Sequence, residues 1–173
     1  MPLSTAFPTW LNDQTPGASD LNRLQDNDRF FAARPILSLG RSVDQRVENA
    51  TVTPIAWNAD TADPEAMHAA GASDIVVTVP GWYHVTCTVG WTVPTNPTGY
   101  RSVRLMRNDV QFTRDDRAAV SLIGTFQTAS RLWSFAVGDV LRADAVQAQG
   151  GPLNIAGGEL SSPSLDMIWI RSL

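Results

Sequence analysis

The only cysteine and one of the two histidines lie three residues apart in PGWYHVTCTVGW, residues 80–91. A thiolate beside an imidazole is the pairing used by nucleophilic and metal sites. Apolar and polar residues alternate in this segment, however, and a period of two predicts a β-strand. Because residues three apart on a strand point to opposite faces, His84 and Cys87 cannot meet within it. We therefore expect Cys87 to be a small buried hydrophobic residue and His84 to lie on the more polar face.

The remaining catalytic candidates are few. His68 lies in EAMHAAG, and no GxSxG elbow offers it a nucleophile. Asp115 and Asp116 form the sole adjacent acidic pair, and paired carboxylates serve glycoside cleavage. Their flanking residues Arg114 and Arg117 are typical of a solvated charged turn between strands, so a hydrolase stays a minor alternative. We expect the protein to have no enzymatic activity and to bind no cofactor.

Composition narrows the class of protein. The chain has 173 residues, 43% of them hydrophobic, and a net charge of -4. Nucleic-acid binding and membrane insertion are not expected, because the sequence shows neither a basic stripe nor a bilayer-spanning apolar run. No loop has the dense acid pattern of a dedicated calcium site, although calcium at Asp115, Asp116 or Asp139 is left open. All 13 basic residues are arginine, which points to GC-rich coding, as in a high-GC bacterium or its virus.

Residues 1–35 differ from the rest and are predicted to form a separate N-terminal segment before a domain at residues 36–173. FPTWLNDQTPG is rich in turn residues, and ASDLNRLQDNDRFFAARP then predicts a short helix. Ser19 or Asp20 would cap this helix and Pro35 would end it.

The predicted helix has an apolar stripe that needs a partner. Leu21, Leu24, Asp28 and Phe31 follow a heptad seam, but the seam is brief and Asp28 occupies a core position. A helix this short is marginal in water. The stripe must therefore rest on the following domain, on copies of itself or on another protein, and we expect a docking segment rather than a self-sufficient coiled coil.

From Ile36 onward the hydrophobic pattern has period two, with turn residues about every ten positions. No convincing long helix separates the strands, so the sequence predicts an all-β, antiparallel sandwich or barrel. The candidate strands are Ile36–Leu39, Ala50–Trp57, Asp74–Val79, Trp82–Trp91, Ser102–Arg107, Val110–Thr113, Val120–Phe135, Val140–Gln147 and Leu165–Arg171.

The order of these strands resembles the jelly roll of the tumour necrosis factor and complement globular-head family. The motifs in question are VPGWYHVTCTVGW, SVRLMRNDVQF, FAVGDVLRADAVQ and SSPSLDMIWI. The resemblance covers residues 36–171 and implies a jelly-roll sandwich that packs as a homotrimer. The final strand is apolar on both faces, which favours trimer contact over burial within one chain. The predicted trimer residues are Leu165, Met167, Ile168, Trp169 and Ile170.

The N-terminal segment resembles leader segments of structural proteins from tailed phages of actinobacteria, in which a Trp and a Leu-Asn helix precede a β domain. This resemblance implies a virion protein, assembled in the host cytoplasm, whose partner is a major capsid or tail protein. Capsid decoration or a head fibre is the first expectation, with the tail or baseplate as the alternative location. The residues expected to anchor it are Phe7, Trp10, Leu21, Leu24, Phe30 and Phe31.

A second function class is a receptor-binding module whose loops recognise host surface carbohydrate. Glycan sites place an aromatic face beside hydrogen-bonding side chains. The nearest approach to such a set in this sequence is Asn96, Tyr100 and Arg101.

Overall fold

The computed structural model describes residues 17–96, 98–119, 124–158 and 163–173. Two of the predicted anchor residues, Phe7 and Trp10, lie outside these ranges, as does the predicted extended segment that contains them. The described residues form one helix, α1, and twelve strands.

Helix α1 spans Ala18–Ala32. Its N-cap is Gly17, which corrects the prediction of Ser19 or Asp20. The physical reason is that Asp20 lies one turn inside the helix, where its carboxylate accepts a hydrogen bond from the Gly17 N–H at 3.3 Å. An acidic side chain there also interacts favourably with the helix dipole. The helix ends before Pro35, as predicted.

Six of the described strands have eight to ten residues, and the other six have two to five. In chain order they are β1 Ile36–Gly40, β2 Gln45–Val47, β3 Thr53–Pro54, β4 Ala59–Ala62, β5 Asp74–Val76, β6 Gly81–Gly90, β7 Tyr100–Arg107, β8 Val110–Ala118, β9 Phe126–Phe135, β10 Val140–Gln147, β11 Leu153–Ile155 and β12 Ser164–Arg171.

The long strands build two antiparallel layers. One sheet has five strands in the order β4-β1-β12-β6-β9. The other has the order β3-β10-β7-β8, and β5 also pairs with β10. A small sheet of β11 and β2 lies beside them. The predicted all-β jelly-roll sandwich is therefore confirmed.

The core lies between the two layers and follows the alternation read from the sequence. On β6, Tyr83, Val85, Cys87 and Val89 are fully buried, whereas His84 is exposed on the opposite face. On the facing sheet, alternate residues of β7 and β10 fill the same interior. The prediction for His84 and Cys87 is thus confirmed: their side chains point to opposite faces.

Three strand predictions need correction. Ala50–Trp57 contains only the two-residue β3, and the predicted strand from Val120 begins at Phe126 in the described residues. Strand β8 continues past Thr113 to Ala118, so Asp115 and Asp116 lie on a strand and not in a turn. Backbone pairing with β7 continues to Ala118, and each carboxylate also pairs with an arginine two residues away on the same strand face.

Candidate interaction face on the five-stranded sheet

The outward surface of β1, β12, β6 and β9, here called the interaction face, carries a row of large side chains in register. Ile36 pairs with Ile168, Ile168 with His84, and His84 with Leu132, so the row crosses four strands. The three aliphatic side chains of the row are between 38% and 48% exposed. Ile170 extends this apolar end of the face. None of Ile36, His84 and Leu132 was predicted from the sequence to be a contact residue. The signal that could have found them is their position on the outward face of β1, β6 and β9.

The rows beside this apolar end are hydroxyl-rich and internally bonded. Neighbouring side chains meet across strands at hydrogen-bond distance, so most of their polar atoms are already occupied. The pairs are Ser38 Oγ to Asp166 Oδ1 at 2.7 Å, Thr86 Oγ1 with Ser130 Oγ at 2.9 Å, Ser130 Oγ with His84 Nε2 at 3.0 Å, and Thr88 Oγ1 with Thr128 Oγ1 at 3.2 Å.

Little charge is present on this surface. Among the described outward residues of the four strands, Asp166 is the only acidic one, and its carboxylate is hydrogen-bonded to Ser38. Arg171 lies at the rim, with its guanidinium 5.5 Å from the centroid of the Trp82 ring. A shallow depression of about 400 Å³ crosses the face between Ile36, His84 and Asp166.

The outward surface of the other sheet is different in character. Its arginines and aspartates form ion pairs along and between strands: Arg142 contacts Asp144 and Asp109, each at 2.8 Å, and Arg114 contacts Asp116 at 2.9 Å. Asp144 is 1% exposed, whereas the side chains of Asp109, Arg114 and Asp116 remain exposed to water. Among the described residues, the outward surfaces of the two sheets are therefore chemically unlike, and the interaction face has the composition closer to that of a protein contact.

The predicted trimer residues divide between the core and the surface. Leu165, Met167 and Trp169 point inward and are at most 2% exposed, so they have no surface to offer a neighbouring chain. The reason is the period of two on β12, which the apolar run of the sequence concealed. Ile168 and Ile170 point outward onto the interaction face, and they remain open to contact.

The predicted anchor residues of α1 fall into two groups, one packed against the core and one exposed. Phe30 packs against the core, with its ring centroid 4.7 Å from that of Trp169. Leu21, Leu24 and Phe31 are exposed on the helix, although Phe31 also lies 6.5 Å from the Trp169 centroid. Phe30 therefore attaches the helix to its own jelly roll.

The predicted glycan residues do not form one site. Arg101 is 1% exposed and shares the inward parity of Val103 and Leu105, and burial lowers the pKa of its guanidinium. Its NH1 donates to the carbonyl oxygen of Tyr100 at 3.1 Å. The side chain of Asn96 donates to the carbonyl oxygen of Gln149 at 3.1 Å. Of the three residues, Arg101 is therefore excluded as a ligand contact by its burial.

The residues that could do chemistry are held in structural contacts. Burial, together with the negative charge of Asp166, raises the pKa of the Cys87 thiol far above its ordinary value, which disfavours the thiolate that a nucleophile requires. The imidazole of His68 is enclosed, with Nδ1 3.0 Å from Asp60 Oδ1 and Nε2 3.2 Å from the Ala72 carbonyl. Asp115 pairs with Arg117 at 2.9 Å.

The described part of the chain has neither a metal-ligand cluster nor a helix that could span a membrane. Within residues 17–96, 98–119, 124–158 and 163–173, no three His, Cys, Asp or Glu side chains gather as a metal site would require. Helix α1 is neither long nor apolar enough to cross a membrane.

Comparison with known proteins gives structural matches only. No family model matches the chain, and no curated protein does so. The globular domain of zebrafish complement 1qA superposes with a TM-score of 0.57 at 13% identity, over 80% of this chain and 100% of that chain. Murine APRIL at pH 8.0 gives 0.59 at 14% identity, over 79% and 98% of the two chains. Eiger TNF from S. frugiperda gives 0.56 at 14% identity, over 81% and 96%.

The fold is a tumour necrosis factor-like jelly roll. Identities of 13–14% show a shared architecture but do not indicate a shared function.

Proposed function

We propose that this chain is a non-enzymatic structural module that assembles as a homotrimer through the interaction face. The observation that carries the proposal is the row formed by Ile36, Ile168, His84 and Leu132, set on a nearly uncharged surface and opposite an ion-paired one. Interface cores are depleted in charge and enriched in apolar side chains. The resemblance to tumour necrosis factor and complement globular heads, whose members are homotrimeric, supports a threefold arrangement.

Sedimentation equilibrium of the full chain tests this proposal, with an expected mass of three chains. Ile168→Asp would bring a carboxylate into the middle of each interface and should dissociate the trimer. The matched control is Val137→Asp, because Val137 is also an exposed aliphatic residue but lies in the turn between β9 and β10. A monomeric wild-type chain, or equal effects of the two substitutions, would contradict the assignment.

The finer proposal is that the trimer belongs to a phage virion, as a capsid decoration or head-fibre protein whose jelly roll projects outward. Support comes from the N-terminal segment and the absence of lysine described above. Attachment to a capsid or tail protein would use residues 1–35, and three linked segments raise the avidity of a weak contact through effective concentration.

Deletion of residues 1–33 tests the attachment. The strands begin at Ile36, so the shortened chain should remain folded and trimeric through the interaction face, yet it should no longer associate with particles. The control is the full chain in the same particle-binding assay. Association that survives the deletion would overturn the role of the N-terminal segment and leave the trimer untouched.

The structural role is preferred to carbohydrate recognition because Arg101 is buried. Saturable binding of the isolated jelly roll to host cell-wall sugar would reverse this preference.

A further inference from the structure

Helix α1 presents an apolar stripe that the described part of the jelly roll leaves open. The stripe consists of Leu21, Leu24 and Phe31, which are 53%, 38% and 51% exposed. The contact between the helix and its own core is made mainly by Phe30, which projects from a different side of the helix. Within the stripe, Phe31 also lies near the sandwich, with its ring centroid 6.5 Å from that of Trp169, whereas Leu21 and Leu24 remain exposed.

We propose that the stripe of α1 packs against the same stripe of two other copies, so that the trimer continues from its jelly rolls into a three-helix bundle. This inference rests on the proposed trimer. It identifies the occupant of the stripe as the same chain rather than a different protein.

Residue spacing is the first argument for self-packing. Leu21, Leu24, Asp28 and Phe31 are separated by three, four and three residues, which is the a/d pattern by which helices pack along one another. A helix that lies on the surface of a globular protein usually shows a wider apolar face than this narrow seam. The narrow stripe therefore fits a helix bundle better than it fits a flat docking surface.

Continuity with the interaction face is the second argument. Helix α1 ends at Ala32, only four residues before Ile36, which lies in the row of that face. Moreover, the backbone N–H of Trp169 donates a hydrogen bond to the carbonyl oxygen of Pro35 at 3.1 Å, directly before β1 begins. Copies that associate through the apolar end of the face would therefore bring their helices close together.

Asp28 explains why such a bundle would depend on the jelly rolls. A carboxylate at a seam position weakens a coiled coil while it helps to fix the register. A helix of 15 residues is also marginal when isolated. Once three jelly rolls are assembled, each helix meets the other two at a high effective concentration, and packing between the helices becomes favourable.

This assignment divides the predicted anchor set. Leu21, Leu24 and Phe31 would be used between copies, Phe30 is used within the chain, and attachment to a larger body would fall to the segment before α1 that contains Phe7 and Trp10.

Crosslinking in the full chain tests the bundle. Leu24→Cys places a thiol on the stripe, and Asn22→Cys places one on an exposed position away from it. The only native thiol, Cys87, is buried and should stay silent. With a short bismaleimide, we expect Leu24→Cys to form covalent dimers at least tenfold faster than Asn22→Cys, at a rate independent of protein concentration.

Asp28→Ile gives a second test that does not depend on the cysteine variants. Replacing the carboxylate by an aliphatic side chain should strengthen self-association at least tenfold in sedimentation, whereas Asn22→Ile should not. A trimeric wild type with equally slow crosslinking at both cysteine positions, or with no tightening by Asp28→Ile, would overturn the bundle alone. A monomeric wild type would overturn the bundle together with the proposed trimer.

Discussion

The rings of Phe30 and Trp169 meet edge to face, with centroids 4.7 Å apart and an interplanar angle of 75°. This contact joins the N-terminal helix to the last strand of the jelly roll. Edge-to-face pairs of this kind add to the stabilisation that comes from apolar burial. This ring pair therefore contributes to holding α1 in place, together with Asn27, which is buried on the helix.

Phe30→Ala should lower the free energy of unfolding by about 1–3 kcal/mol, because it removes a half-buried ring and uncovers Trp169. Urea unfolding followed by tryptophan fluorescence measures the change. All chains should be compared at one protein concentration, since assembly adds a mass-action term. Phe31→Ala is the matched control, and this half-exposed residue should cost less. Equal losses would show that the closer contact of Phe30 with Trp169 adds no more stability than the longer contact of Phe31.

Cys87 should resist thiol reagents in the folded chain. The thiol is fully buried, which limits access of the reagent. Burial and, to a smaller extent, the negative charge of Asp166 raise the pKa of the thiol and so oppose formation of the thiolate. Labelling with a chromogenic disulfide should be slower by at least ~10³-fold than in denaturing urea, because reaction must await opening of the structure. Rapid labelling of the native chain would place Cys87 at the surface.

Asp139→Asn should destabilise the chain by roughly 1–3 kcal/mol at neutral pH. Burial alone would raise the pKa of Asp139, but hydrogen bonds from the Ala136 N–H and the Asn108 amide, together with Arg107, outweigh it and lower the pKa. The folded-state pKa therefore lies below the unfolded value. The carboxylate's stabilisation is complete above the unfolded value and is lost as pH falls through the folded one.

The free-energy difference between wild type and Asp139→Asn should accordingly shrink below about pH 4, where the unfolded chain takes up the proton. Acid titration of urea stability checks this. Asp116→Asn is the control, because its exposed pair with Arg114 should contribute at most about 1 kcal/mol. A difference for Asp139→Asn that grows on acidification would contradict the assignment.

Gln127→Leu should cost roughly 2–4 kcal/mol, because one buried amide serves three partners. Its Oε1 accepts from Trp91 Nε1 at 2.7 Å, and its Nε2 donates to the carbonyl oxygens of Arg101 and Asp115, each at 2.9 Å. Urea unfolding of Gln111→Leu, which changes an exposed glutamine, should differ from wild type by no more than about 0.5 kcal/mol. A similar small effect at Gln127 would mean that water replaces the amide.

The layered fold could be predicted because its central strands are long and patterned. Alternation on β6 predicted the buried and exposed faces correctly, and the candidate strands Ser102–Arg107 and Val110–Thr113 left Asn108-Asp109 as the connection between β7 and β8. The short strands β2, β4 and β11 were missed, since three or four residues carry too little periodicity to distinguish a strand from a loop. Their pairing is determined by the sheets around them.

The interaction face was predicted only in part. Ile168 and Ile170 were identified by their hydrophobicity, yet the same criterion included Leu165, Met167 and Trp169, which serve the core. Ile36 and Leu132 were missed because a row across four strands is created by register, which depends on residues far apart in the chain. The burial of Arg101 could be inferred only from its position on the same strand face as Val103.

Helix α1 and the last residues of β12 leave the sandwich at the same end. Strand β6 runs from Gly81 at that end to Gly90, a distance of roughly 30 Å at about 3.3 Å per residue. The loop beyond it carries Val93, which is 60% exposed. A peptide grafted at Val93 would therefore be displayed at the far tip of each head, remote from whatever the N-terminal segment holds.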